Sequence, residues 1–179
     1  MKDYILFIPP IDVIGKDPII WNAKEAKHYF NWFISIKDDR VDHLLTSIDE
    51  VLTDDPEADV KRIGKKVTDF LFGYPFSNKE ESKLIMTNKG LALVADLSLL
   101  IAKLIMENHP QITWGIVKRP KRDISYNLPA LFGFPIVERL ELMGASIRYA
   151  RAILENNNTS SVWVEMYNYA MELISGDIN

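Results

Sequence analysis

The sequence predicts an α+β protein, predominantly α, with about six helices packed around a buried central helix and one two-stranded antiparallel β-hairpin. Three observations lead there. Apolar residues recur at helical spacing over most of 22–72 and 136–174. Residues 91–106, "LALVADLSLLIAKLIM", are apolar nearly all round, as a helix enclosed on several sides must be. Between 112 and 132 the apolar period changes from helical to two, which is the mark of strands.

The chain opens in an extended segment, with Ile5, Leu6, Phe7 and Ile8 expected against the core. Asn22 with Glu25 three residues on makes a capping box for a first helix. Its inward stripe is Ala26, Tyr29, Phe30, Phe33 and Ile36, widened by Trp32. The acids Asp38 and Asp39 suit a helix start, so a second helix is expected there, carrying Val41, Leu44, Leu45, Ile48 and Leu52. Pro56 disfavours helix at Asp55 and ends it. A third helix, about 57–72, buries Val60, Ile63, Val67, Phe70 and Leu71 and stops at Gly73. Ser77 with Glu80 reads as another capping box opening a short or irregular piece.

The central helix is expected over 88–108. Two strands follow, 112–117 and 124–132, with Pro129 making the second an edge or breaking it. Two helices close the chain. One spans about 136–154, with Val137, Leu140, Met143, Gly144, Ile147 and Leu154 inward. The other spans 160–174, with Ser160 as cap and Trp163, Met166, Tyr167, Ala170 and Ile174 inward.

The length of 179 residues suits a single domain, 1–179, large enough for a substantial core. Hydrophobic residues make up 47% and charged residues 26%, the balance of a folded rather than a disordered chain. There is no cysteine, which removes disulfides and thiolate chemistry. The N-terminal apolar run is cut by Pro9 and Pro10, and Asp96 and Lys103 interrupt the run at 91–106. Neither a leader nor a membrane span is expected, and the expected location is cytoplasmic.

Catalytic signals are weak. His28, His43 and His109 share no metal-binding spacing, and no nucleophile elbow, P-loop or dinucleotide fingerprint occurs. The reading is a non-enzymatic protein with no cofactor and no metal. Asp96 stands out because an ionised carboxylate inside an apolar helix needs a partner. It reads as a structural acid satisfied by an arginine such as Arg148 or by a backbone group, or else as a pocket acid facing the hairpin.

Charge is unevenly spread. Residues 1–60 carry 6 Lys/Arg against 13 Asp/Glu, whereas the remainder is net positive. Nine acids (Asp38, Asp39, Asp42, Asp49, Glu50, Asp54, Asp55, Glu57 and Asp59) fall in one stretch with the single base Arg40. Such a run is a solvated face or a landing site for a basic protein. Lys118, Arg119, Lys121 and Arg122 cluster around Pro120 between the two strands. They guard an exposed hairpin edge, meet an anionic partner, or contact nucleic acid beside Trp114 and Tyr126. Nucleic acid is the least favoured, because four cations are a small footprint on a chain of pI about 5.4.

The stretches "EAKHYFNWFI" and "LALVADLSLLIAKLIMENHPQITWGIVKRPKRDISYNLPALFGF" resemble a group of small uncharacterised bacterial proteins from polymorphic-toxin neighbourhoods, held to be immunity proteins. Trp32, Asp96, Trp114, Gly115, Pro120, Lys121, Asn127, Pro129, Gly133 and Phe134 carry the resemblance, which covers about a third of the chain closely. It implies an immunity-type inhibitor of a cognate toxin and brings no catalytic residues. The partner-binding candidates are thus Asp42, Asp49, Glu50, Asp54 and Asp55, and Lys118, Arg119, Lys121 and Arg122. The alternatives are a nucleic-acid-associated protein using the basic residues, or an enzyme with a pocket near Asp96.

Overall fold

The computed structural model describes residues 4–81, 83–155 and 159–176. Among them are five α-helices and two small antiparallel sheets. The helices are α1 (Ala23–Ser47), α2 (Pro56–Leu71), α3 (Asn88–Asn108), α4 (Leu142–Leu154) and α5 (Ser161–Ser175). Strands β1 (Ser77–Glu80) and β2 (Lys83–Met86) form one hairpin, and β3 (Thr113–Ile116), β4 (Pro129–Phe132) and β5 (Arg139–Leu140) form a sheet in that order. The α-rich α+β class is as expected; the helix and strand counts differ. No helix among the described residues is long and apolar enough to cross a membrane.

The centre is α3. Every residue from 92 to 102 is buried, and the helix packs against α1, α2, α4 and α5. Thr87 caps it, its hydroxyl accepting from the Gly90 amide. The Asn22 capping box of α1 is present in full, with the Asn22 side chain accepting from the Glu25 amide and Glu25 from the Asn22 amide.

Where two helices were expected across 22–52, α1 continues without a break through Asp38 and Asp39. No proline or glycine interrupts it, and the buried series Phe33, Val41, Leu44, Ile48 keeps one helical phase across the acids. Adjacent acids are therefore not a start signal here. The helix instead ends at Ile48, with Asp49 in the left-handed region at φ +53°. Asp55 then caps α2 through the Ala58 amide, with Pro56 in the first helical position.

Ser77 and Glu80, expected as a capping box, lie in β1 instead. Their register pairs Ser77 with Met86 and Glu80 with Lys83. A second correction concerns the basic stretch. Only 113–116 and 129–132 form ladder strands, so the cations occupy a 117–128 loop rather than a tight tip. Asp123 accepts from the Ser125 amide, and turn bonds join Tyr126 to Asp123 and Leu128 to Ser125. These turns turn Ile124, an expected strand position, out into solvent. Pro129 opens β4, which is the middle strand of the sheet and not an edge.

α4 begins at Leu142, later than expected, because Arg139 and Leu140 pair with Phe132 and Leu131 as β5. Its buried positions are Leu142, Ser146, Ala150, Ile153 and Leu154, so the expected stripe of Met143 and Ile147 lies half-buried at the flank. In α5, Trp163, Met166, Tyr167 and Ala170 are buried as expected, while Ser160 precedes the helix without a capping bond. The opening segment is pinned by Tyr4 and Phe7; Ile5, Leu6 and Ile8 are exposed.

Helices α2 and α5 meet at Gly64 and Trp163. A Cβ on Gly64 would lie 2.6 Å from the Trp163 ring, whose indole N–H donates to the Thr68 hydroxyl at 2.8 Å. The indole is fully buried and held by that bond, so it has nowhere to retreat. Gly64→Ala is therefore expected to lower unfolding free energy by about 1–3 kcal/mol in chemical denaturation despite its better helix propensity; an unchanged or raised midpoint would contradict this packing.

Candidate functional site

Asp96 is a fully buried carboxylate on the α3 face turned toward α1. Its carboxylate takes a two-pronged contact from Arg40 of α1, with Nε donating to Oδ1 at 2.7 Å and Nη2 to Oδ2 at 2.5 Å. The Tyr4 hydroxyl donates to Oδ2 at 2.5 Å. Asp96 is 0% and Arg40 4% exposed. The rest of the guanidinium holds the N-terminal segment, donating from Nη1 to the carbonyls of Ile5 and Leu6 and lying 4.2 Å from the centre of the Phe7 ring. Arg40, and not the expected Arg148, is the partner. Burial pushes the Asp96 carboxyl up to about 6, against the opposing pull of Arg40 and the Tyr4 hydroxyl. Burial likewise raises the Tyr4 hydroxyl above its usual value, with the Asp96 charge adding to it.

With both oxygens engaged, Asp96 is a structural fastener between α1, α3 and the N-terminal segment. No group of three or more His, Asp or Glu able to hold a metal occurs among the described residues.

The nine acids separate into two sets. Asp59 is fully buried; it accepts from the Thr53 amide and hydroxyl and pairs with Arg62 at 2.6 Å. Glu50 pairs with both Arg62 and Lys66. Those two α2 cations also finish the end of α1, since Lys66 donates to the carbonyls of Ile48 and Asp49, and Arg62 to that of Val51. Asp55 is occupied as a helix cap, and Glu57 accepts from Asn168 of α5. Asp38 pairs with neighbouring Lys37.

Asp39, Asp42, Asp49 and Asp54 make the outer set. All four are exposed, and none has an ion pair among the described residues. Asp39 and Asp42 sit three apart on the solvent side of α1, Asp42 lies four beyond Asp38, and Asp49 and Asp54 continue past the helix end. Like charges at the three- and four-residue spacings within α1 repel. Of the acidic candidates, then, Glu50 and Asp55 are absorbed by the fold, whereas Asp42, Asp49 and Asp54 face solvent.

Lys118, Arg119, Lys121 and Arg122 are all exposed, but their loop is firmly braced. Arg139 contacts Asp123, Glu138 and Glu141 and donates to the Arg119 carbonyl, while Ser125 bonds Glu141. Asn127, at φ +67°, donates its side-chain amide to the carbonyls of Pro18 and Trp21. The loop is thus tied to the beginning of α1, and the outer acids lie toward its end. Twenty residues of helix separate Trp21 from Asp42, on the order of 30 Å. No ion pair joins the two charged candidates among the described residues.

A cavity of about 400 Å³, which no sequence pattern signals, lies where α1, α3 and β3 converge. Its apolar lining is half-buried Met106 and Trp114 with buried Val41 and Leu99 behind them, and Lys37, Asp38, Lys103 and Glu107 stand around it. In the sequence Val41 reads as part of a core stripe and Trp114 as part of a strand, and neither pattern signals a shared opening.

No family model, curated protein or solved structure matches the chain.

The buried pair yields a charge-balance prediction. Asp96→Asn or Arg40→Met alone leaves one buried polar partner uncompensated and is expected to cost about 3–5 kcal/mol, whereas Arg40→Met with Asp96→Leu recovers most of that loss. The pH dependence follows from the raised Asp96 value. An unfolded aspartate titrates near 3.9, so between about 4 and 6 the folded form binds the proton more tightly and stability contributed by this group falls as pH rises. Relative to the double variant, the wild type should lose up to about 3 kcal/mol across that window and nothing further above it. Denaturation series at pH 4, 5, 6 and 7 check this; a difference independent of pH would contradict it.

Proposed function

We propose that this protein is a non-enzymatic, immunity-type binding protein that holds a basic protein domain stoichiometrically against the outer acids Asp39, Asp42, Asp49 and Asp54. One observation carries the reading. The fold neutralises Glu50 and Asp59 with Arg62 and Lys66, yet leaves Asp39, Asp42, Asp49 and Asp54 of the same stretch exposed and without an ion pair among the described residues. A cluster of exposed acids that the fold does not use internally is what an electrostatic binding face requires. Its field would speed encounter with a basic partner and lose force with added salt. The resemblance to proteins of toxin neighbourhoods agrees with a cytoplasmic inhibitor and supplies the class of partner.

Asp49 is best left in place when the face is tested, because its positive φ tolerates aspartate better than lysine. The triple variant Asp39→Lys, Asp42→Lys, Asp54→Lys changes only exposed positions and should keep the wild-type melting temperature within a few degrees. Wild-type protein immobilised in extract from the native host should retain one basic polypeptide in equimolar amount. Association of that purified polypeptide should be at least about tenfold slower for the triple variant at low salt, with the gap closing as salt rises. Equal association rates for the two proteins at low salt would contradict the proposal.

A further inference from the structure

We infer that the cavity between α1, α3 and β3 is the anchor pocket of the acidic face, built to receive one aromatic side chain from a basic segment of the partner. The inference rests on the proposed reading of that face and names what the partner must insert there. Its first ground is position. Lys37, Asp38 and Val41 line the cavity, and Asp38 is four residues from Asp42 on the same helix, so the opening is continuous with the outer acids. A side chain entering it would place its flanking residues over Asp42 and Asp39.

The second ground is the kind of surface presented. Val41, Leu99, Met106 and Trp114 give an apolar lining that includes a thioether and an indole, both favourable neighbours for an aromatic ring. Trp114 is already braced, edge-to-face with the buried Phe33 ring at 4.9 Å between centres. The cavity wall is thus held in shape before a partner arrives, which limits the ordering cost of binding.

The third ground decides between an aromatic and a cationic guest. Both acids beside the cavity have a lysine on their own helix, Lys37 with Asp38 at 2.6 Å and Lys103 with Glu107 at 3.8 Å. A guanidinium entering here would meet two lysines and gain no unpaired carboxylate. An apolar ring avoids that competition, and the two ion pairs then form a polar border around it. A central apolar anchor with a self-neutralised rim is how tight interfaces concentrate their energy. The basic residues of the partner belong outside, over the unpaired aspartates.

Three short peptides test this without the natural partner: Ac-Lys-Trp-Arg-NH2, Ac-Lys-Ala-Arg-NH2 and Ac-Glu-Trp-Glu-NH2, each titrated into the full chain and followed by NMR. The Met106 methyl and the Trp114 indole N–H are the reporters. The first peptide should shift both saturably in the millimolar range. The alanine peptide should leave the Met106 methyl in place, and the glutamate-flanked peptide should bind at least about fivefold more weakly. Met106→Trp, which fills the cavity, should abolish the shifts at Trp114. Met106→Lys, which places a charge inside it, should do the same and serves if the first variant melts early.

Equal response to the alanine peptide, or no shift of either reporter at 10 mM of the tryptophan peptide, would overturn the anchor. So would equal affinity for the glutamate-flanked peptide. If the anchor fails in this way while charge reversal still slows the natural partner, the acidic face stands without it. If the peptide occupies the cavity but charge reversal leaves the partner's association unchanged, the anchor stands and the acidic face falls.

Discussion

The contact on which the rest of this structure depends is the buried Arg40–Asp96 pair. It joins the C-terminal third of α1 to the middle of the enclosed helix α3, and through Tyr4 and the carbonyls of Ile5 and Leu6 it gathers in the N-terminal segment. Apolar contacts alone would let α1 slide or roll on α3, because many registers bury similar area. A two-pronged guanidinium–carboxylate contact in a dry interior tolerates almost no displacement. Once the register is set, Val41 and Leu44 face the core and Asp38, Asp39 and Asp42 face solvent. The acidic face and the cavity beside it are both consequences of how α1 is seated.

The stretch from 48 to 66 shows how a charged run can serve two purposes. The α2 cations Arg62 and Lys66 reach across to finish α1, whose last turn has no base of its own. Glu50 and Asp59 hold those cations in place. This inner network is structural and would be present whatever the protein binds. What distinguishes the chain is the remainder, aspartates that no such argument explains. The basic loop is the reverse case: its cations are exposed, but Arg139, Asp123, Glu141 and Asn127 account for its shape without reference to a ligand.

Much of the helical architecture was legible because its signals are local. The Asn22 box, the stop at Pro56 and the apolar run of α3 each act within a few residues. Local signals also misled where two structures share one pattern. Ser77 with Glu80 has the spacing of a capping box yet lies in a hairpin, and Asp38–Asp39 has the composition of a helix start yet sits within α1. Alternation at 124–128 looked like a strand, but Asp123 and Ser125 drew the backbone into turns. The missed features are those made by distance. Arg40 lies 56 residues from Asp96, and its pairing is invisible until the helices are packed. The cavity is assembled from three elements, and none of its residues is unusual alone. That Asp96 would need a partner was readable; which residue supplies it was not.

The central claim is that partner contact occurs at the acidic end of α1 and not at the basic loop, which Asn127 ties to the start of that helix. Amine-reactive cross-linking of the complex isolated from its native host, read by mass spectrometry, separates these directly. Lys37 and Lys103 border the cavity, whereas Lys118 and Lys121 lie in the loop. Cross-links to the partner should run from Lys37 and Lys103, with Lys118 and Lys121 as reactive in the complex as in the free protein. Cross-links confined to Lys118 and Lys121 would contradict the account.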